Sequence, residues 1–140
     1  MKILLAVDGS AHTKKMLAYL TTHNELFSTE NDYVVLTVLP TIPARVRSAV
    51  GKTAVDTYAT EEAEKVLAPV TKFLMRHGID AKSSWKMGHI GETIAKFAET
   101  EKCDMLVMGS HGHSALTNLV MGSVATQVLA HCSVPVLLVR

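Results

Sequence analysis

The sequence predicts an α/β fold, an open and doubly wound sheet of five parallel strands with helices on both faces. Three observations predict it. Apolar runs rich in Val, Leu and Ile recur at residues 3–7, 34–39, 105–108 and 134–139, with Thr37 the one polar residue among them, and such runs suit strands covered on both sides, whereas a half-exposed antiparallel strand would alternate. Stretches with helical spacing lie between them. The resulting order, β-α-β-α-β-α-β-α-β, joins parallel strands by right-handed crossovers and so winds the sheet in both directions.

The first strand, 3–7, runs into Asp8-Gly9-Ser10, and Ser10 is a good N-cap for a helix whose stripe opens with Met16, Leu17 and Leu20. After the second strand, 34–39, residues 40–53 form one long connection without a persuasive period, carrying Arg45, Arg47 and Lys52. Connections of this length usually serve function. Val55, Ala59, Ala63, Val66, Val70 and Phe73 then fall three or four residues apart, on one helix face. Pro69 interrupts that stripe without an N–H to donate, so the helix should kink or restart near Ala68. Gly78, after Arg76-His77, supplies a left-handed stop. A weaker third strand follows at 79–86, then a helix striped by Ile90, Ile94, Phe97 and Ala98. The fourth strand is 105–108, the last helix 123–131 and the last strand 134–139. No repeat, linker or low-complexity segment interrupts them, so residues 1–140 read as one domain.

Composition supports a packed core. Leu, Ile, Val and Phe make up 39 of 140 residues, well above the ~20% below which disorder is expected. A chain of this size buries roughly 70% of its unfolded surface and needs no disulfide or metal staple. Fourteen Lys and Arg against thirteen Asp and Glu leave a net charge of +1. That excludes the concentrated positive field by which proteins hold nucleic acid or anionic membrane. The apolar runs fall far short of the ~20 residues that cross a bilayer. Asp8 ends the first run with no cleavage site after it, so a cytoplasmic location is expected. Cys103 and Cys132 lie far apart without a CxxC pattern, which predicts two buried, inert thiols.

Ligands of open α/β sheets sit at the carboxyl ends of strands, where the strand order reverses. The first strand ends in Val7-Asp8-Gly9-Ser10 and the fourth in Met108-Gly109-Ser110-His111-Gly112; nine residues later come Gly122-Ser123 and the final helix. The pattern is Gly-x2-Gly-x9-Gly-Ser. Gly109 and Gly112 allow a tight turn and close backbone approach, while Gly122 and Ser123 offer amides at a helix N-terminus, a natural cradle for phosphate.

At these residues the chain resembles the universal stress protein family, in its nucleotide-binding branch. The order of elements extends the resemblance over the whole chain, and the Pro-Val-Leu-Leu-Val ending at 135–139 is also similar to the family pattern. The resemblance implies a Rossmann-like, adenine nucleotide alpha hydrolase-like sheet of order 3-2-1-4-5, with Asp8 and Gly109 neighbours at the switch point. It implies ATP as ligand, with a Mg or Mn ion carried mainly by the phosphates, and a homodimer paired through strand 134–139. Residue by residue, Ala6, Val7, Asp8 and the backbone near Val38 would face the adenosine; Met108 and Gly109 would line base and ribose. Gly112, Gly122, Ser123 and the Val124 amide would hold the phosphates, and His111 could approach one when protonated. The third helix opens with Gly88-His89-Ile90-Gly91 where related sequences commonly carry proline, a departure from the family pattern at that turn.

Other motifs are weaker. Gly51-Lys52-Thr53 resembles the tail of a P-loop, but the required upstream glycine is Val46. His111 and His113 lack a third ligand at fixed spacing and read as loop histidines, not a metal site. Ser110, His111 and Asp8 lack the G-x-S-x-G elbow, and adjacent residues on a tight turn rarely align as nucleophile and base. A phospho-receiver would need aspartate at the end of the third strand, which reads Trp85-Lys86-Met87. The expected function is a nucleotide-responsive dimeric stress-response module without catalytic residues. The alternatives are a nucleotide-free dimeric module and a slow ATPase, since only Asp8, His111 and the cations of 40–53 are at hand to stabilise a leaving phosphate.

Overall fold

The computed structural model describes residues 1–113 and 120–140. Its elements are β1 (Lys2–Ala6), α1 (Ala11–Thr22), β2 (Asp32–Leu39), α2 (Ala44–Val50), α3 (Lys52–Arg76), β3 (Lys82–Met87), α4 (Ile90–Thr100), β4 (Met105–Gly109), α5 (Ser123–His131) and β5 (Val136–Val139). All strand pairs are parallel, and the order is β3-β2-β1-β4-β5. This is the expected order.

β1 explains why its sequence run has no polar position. Ile3, Leu5 and Val7 enter a core with Met16, Leu20, Leu67 and Leu74 from α1 and α3, while Leu4 and Ala6 enter a second core with Ile94, Ala98, Ala125 and Val128 from α4 and α5. Side chains of a strand alternate between faces, so a strand roofed on both sides must be apolar throughout. The helices thus divide in two layers.

Three expectations are corrected. Residues 40–53 are not one irregular connection: they contain α2 and the first turn of α3, separated by Gly51 at φ 87°. Every residue of α2 is exposed, so no apolar stripe marks it. α3 does not restart near Ala68 but continues through Pro69 for 25 residues. Pro69 lies on the exposed side, where water can satisfy the carbonyl it leaves unbonded, and Leu67 and Val70 beside it are buried. The buried face of α3 also differs: Leu67 and Leu74 are fully covered, and Val66 and Phe73 only partly. The helix does stop as expected, with Gly78 at φ 77° and the Ile79 amide bonded back to the Leu74 carbonyl at 2.9 Å.

Of the cysteines, Cys103 is buried, and burial raises its thiol pKa; Cys132 is half-exposed, and both are free. Among the described residues no helix is long and apolar enough to cross a membrane.

Candidate functional site

β1, β2 and β4 end side by side. Ala6 pairs with Leu36 on one flank and Met108 on the other. β2 and β3 extend to one side of β1, β4 and β5 to the other, so the chain leaves these strand ends in opposite directions and a crevice opens between the departures. It is a cleft of about 430 Å³. All eleven residues expected at the ligand line it: Ala6, Val7, Asp8, Val38, Met108, Gly109, His111, Gly112, Gly122, Ser123 and Val124. Of its apolar lining, Ala6, Val38, Met108, Ile90 and Ile94 belong to one packed cluster, and Val7, Leu39 and Val66 to the other.

Asp8 organises the polar lining. Its Oδ1 accepts from the Ser10 amide at 2.9 Å and the Thr13 hydroxyl at 2.9 Å, and its own amide donates to Thr13 Oγ1 at 3.1 Å. Ser10 caps α1 as expected, accepting from the Thr13 amide at 3.4 Å. One carboxylate oxygen is therefore committed to the turn into α1. The other, Oδ2, faces Gly112.

The motif glycines are crowded by the protein itself. None of Gly109, Gly112 and Gly122 has a left-handed φ. A Cβ on Gly109 would stand 2.7 Å from His12 Cβ, one on Gly112 2.6 Å from Asp8 Oδ2, and one on Gly122 3.1 Å from the Ser110 carbonyl oxygen. The crowding is between segments of the protein itself. The loop 109–112 lies directly against the β1–α1 turn and the residue preceding α5, and side chains there would hold these parts of the cleft wall apart.

The role expected of the Gly122 amide is also corrected. It donates to the Ser110 carbonyl at 2.7 Å, and the Ser110 amide to Val139 at 2.9 Å, so it is spent on tying α5 to the end of β4. The first amide bonded within α5 is that of Thr126, to Gly122 at 3.0 Å, and among the described residues no side chain caps the helix. Ser123, Val124 and Ala125 are left without intrahelical acceptors, and all three line the cleft. These donors and the positive end of the helix dipole face the cleft together, an arrangement whose chemistry suits an anion.

Three histidines surround Asp8. His113 Nε2 donates to the Asp8 carbonyl at 2.7 Å, and His111 Nδ1 lies 2.9 Å from Ser110 Oγ. The adjacent Ser110 and His111 thus do align, against expectation. Ser110 is only 2% exposed, which leaves its hydroxyl little room to meet an electrophile. His12, which no sequence pattern marked, sits with its ring 5.0 Å from that of His111 and a buried Nδ1 that has no hydrogen-bond partner among the described residues. Burial lowers its pKa, Lys15 and His111 add to the effect, and Asp8 opposes it. Among the described residues no group of three His, Cys, Asp or Glu is placed to hold a metal ion.

Sequence reasoning missed Thr37, Leu39 and Pro40 from the end of β2, Ile90 and Ile94 from α4, and Glu62 and Val66 from α3. The β2 residues were findable, because every central strand end opens on the crevice. Val66 was hidden by its place in an apolar stripe. The interior of the nine-residue glycine spacer, 114–119, lies outside the described residues.

Comparison with known proteins agrees with this architecture. The profile of the Universal stress protein family matches residues 1–140. The chain is 34% identical over 139 residues to Universal stress protein Slr1230 of Synechocystis, covering 99% of this chain and 42% of that protein. It is 31% identical over 139 residues to a universal stress protein of Thermus aquaticus, covering 99% of this chain and 97% of that one. The chain spans about half the length or less of Slr1230 and of Universal stress protein MJ0577 of Methanocaldococcus jannaschii, at 42% and 50%. The solved structure of MJ0577 superposes with a TM-score of 0.82 at 29% identity, covering 99% of this chain and 94% of that one. An Archaeoglobus fulgidus universal stress protein solved with dAMP superposes at 0.71 (19% identity; 100% and 98% covered), and an Arabidopsis thaliana one solved with AMP at 0.67 (16%; 99% and 90%). The chain belongs to the universal stress protein family.

Proposed function

We propose that the cleft binds an adenine nucleotide, ATP in its full form, and that the protein works as a nucleotide-responsive dimeric module of the stress response. The observation that carries this reading is the convergence at one crevice of an apolar wall and three amides of α5 that have no acceptor within the helix. The apolar wall suits a purine ring, and the amides suit phosphate. In the same fold, the Archaeoglobus and Arabidopsis proteins hold dAMP and AMP. On this reading Met108, Val38 and Ala6 take the base and ribose, while Gly112 and the amides of Ser123 and Val124 take the phosphates. A Mg or Mn ion bound with ATP would be held by the phosphates and would neutralise part of their charge.

Dimerisation through β5 is the second part of the proposal. β5 forms one edge of the sheet, and Val136, Leu137 and Leu138 are each only partly covered. An apolar edge strand is a natural pairing surface. Isothermal titration of the purified protein tests the ligand: saturable heat with ATP at one nucleotide per chain is expected, and no heat at millimolar nucleotide would refute the reading.

A further inference from the structure

For a site that is to hold phosphates, the cleft has an unusual charge inventory. No lysine or arginine lines it among the described residues; its charged side chains are the carboxylates of Asp8 and Glu62, and its titratable bases are His111 and His113. Residues 114–119 are Ser, Ala, Leu, Thr, Asn and Leu, none of which titrates. With both imidazoles neutral the lining is net negative before any phosphate arrives. The α5 N-terminus offers only about half a positive charge.

We propose that binding of nucleotide phosphates in this cleft is coupled to proton uptake by His111 and His113, so that affinity rises as pH falls from 8 to 6. The inference rests on the nucleotide reading above. The hydrogen bonds are compatible with it. His113 Nε2–H is fixed by the Asp8 carbonyl, which leaves Nδ1 as the atom that takes the proton. The Ser110 hydroxyl beside His111 Nδ1 can donate to it or accept from it, so that contact survives protonation. The titratable groups around the pair are Asp8 from the β1–α1 turn and Glu62 from α3, which line the same cleft, and His12 from α1, whose ring lies 5.0 Å from that of His111 and which Lys15 influences in turn. Burial lowers the His12 pKa, and Lys15 and His111 add to the effect, which weakens the repulsion it would offer a charged His111. Imidazole is the side chain whose ordinary titration falls between pH 5 and 8. Each linked proton can tighten binding by at most about tenfold per pH unit.

The test is titration calorimetry of the full chain with ATP in chelator, and with adenosine, at pH 6, 7 and 8 in buffers of different ionisation enthalpy. We expect the Kd for ATP to be about tenfold or more lower at pH 6 than at pH 8, with proton uptake visible as buffer-dependent heat, and adenosine to bind independently of pH. His111→Gln/His113→Gln should lose most of the pH dependence while retaining the part due to ATP's own phosphate ionisation. His113→Gln alone, at an exposed position, should lose a share of it, which keeps the test open if the double variant fails to fold. Equal ATP affinity at pH 6 and 8, or an undiminished ratio in the variants, overturns proton coupling and leaves nucleotide binding standing. Absence of binding by both ATP and adenosine at every pH overturns both.

Discussion

Asp8 is where fold and site meet. Its Oδ1 closes the turn into α1 through Ser10 and Thr13, and Oδ2 faces the glycine loop. Asp8→Ala should therefore cost about 1–2 kcal/mol of stability, the size of a lost helix-entry hydrogen-bond set, as well as weaken nucleotide binding. Asp8→Asn, which keeps an acceptor, should be milder in urea denaturation. Gly122→Val acts through the protein too: its Cβ would press on the Ser110 carbonyl and His111 Cα at 3.1 and 3.2 Å, so about 1–3 kcal/mol of destabilisation should accompany the loss of binding. A variant that loses ATP at unchanged stability would contradict this. The sequence made the three glycines conspicuous but could not say what they touch, because the crowding atoms come from other segments: His12 and Asp8, a hundred residues away, for Gly109 and Gly112, and the 110–111 turn for Gly122. His12 adds a pH effect. Its folded pKa lies below the ordinary 6.5, so the unfolded chain takes a proton that the folded chain refuses, and stability present above that value is lost as pH falls through it. His12→Gln should flatten the stability profile between pH 7 and 5, as followed by chemical denaturation.

At the scale of elements, what could be read depended on burial. β1, β4 and α5 were legible to within a residue because both faces of the strands and one stripe of the helix are covered. α2 was not, since a helix with no buried residue leaves no period in the sequence. The edge strand β3 is polar on its exposed positions and its start was misplaced by three residues, Ile79 being a buried residue of the preceding turn. α3 overrode the rule that proline ends a helix, because tertiary burial of Val55, Ala59, Ala63, Leu67, Val70 and Leu74 holds both halves in one line. Pro69→Ala should restore the missing hydrogen bond and stabilise the protein by about 1–3 kcal/mol, seen as a raised denaturation midpoint. No gain would mean that the proline's restriction of the unfolded chain offsets the bond.

The whole molecule was the most legible level. Element order and right-handed crossovers restrict the topology, the resemblance supplied the strand order, and the switch point then brought together residues from 6 to 124 that no local pattern connects. Assembly is the open consequence at this scale. Sedimentation at micromolar concentration should give a dimer, and Leu137→Glu on β5 should shift it to monomer; a monomeric parent protein would contradict pairing through that edge. The central claim is that an adenine nucleotide occupies the switch-point cleft with its phosphates on the start of α5. The most direct test is an ATP titration followed by amide NMR shifts. The largest changes are expected at Gly109, Gly112, Ser123 and Val124. Shifts confined elsewhere, or none at millimolar ATP, would contradict it.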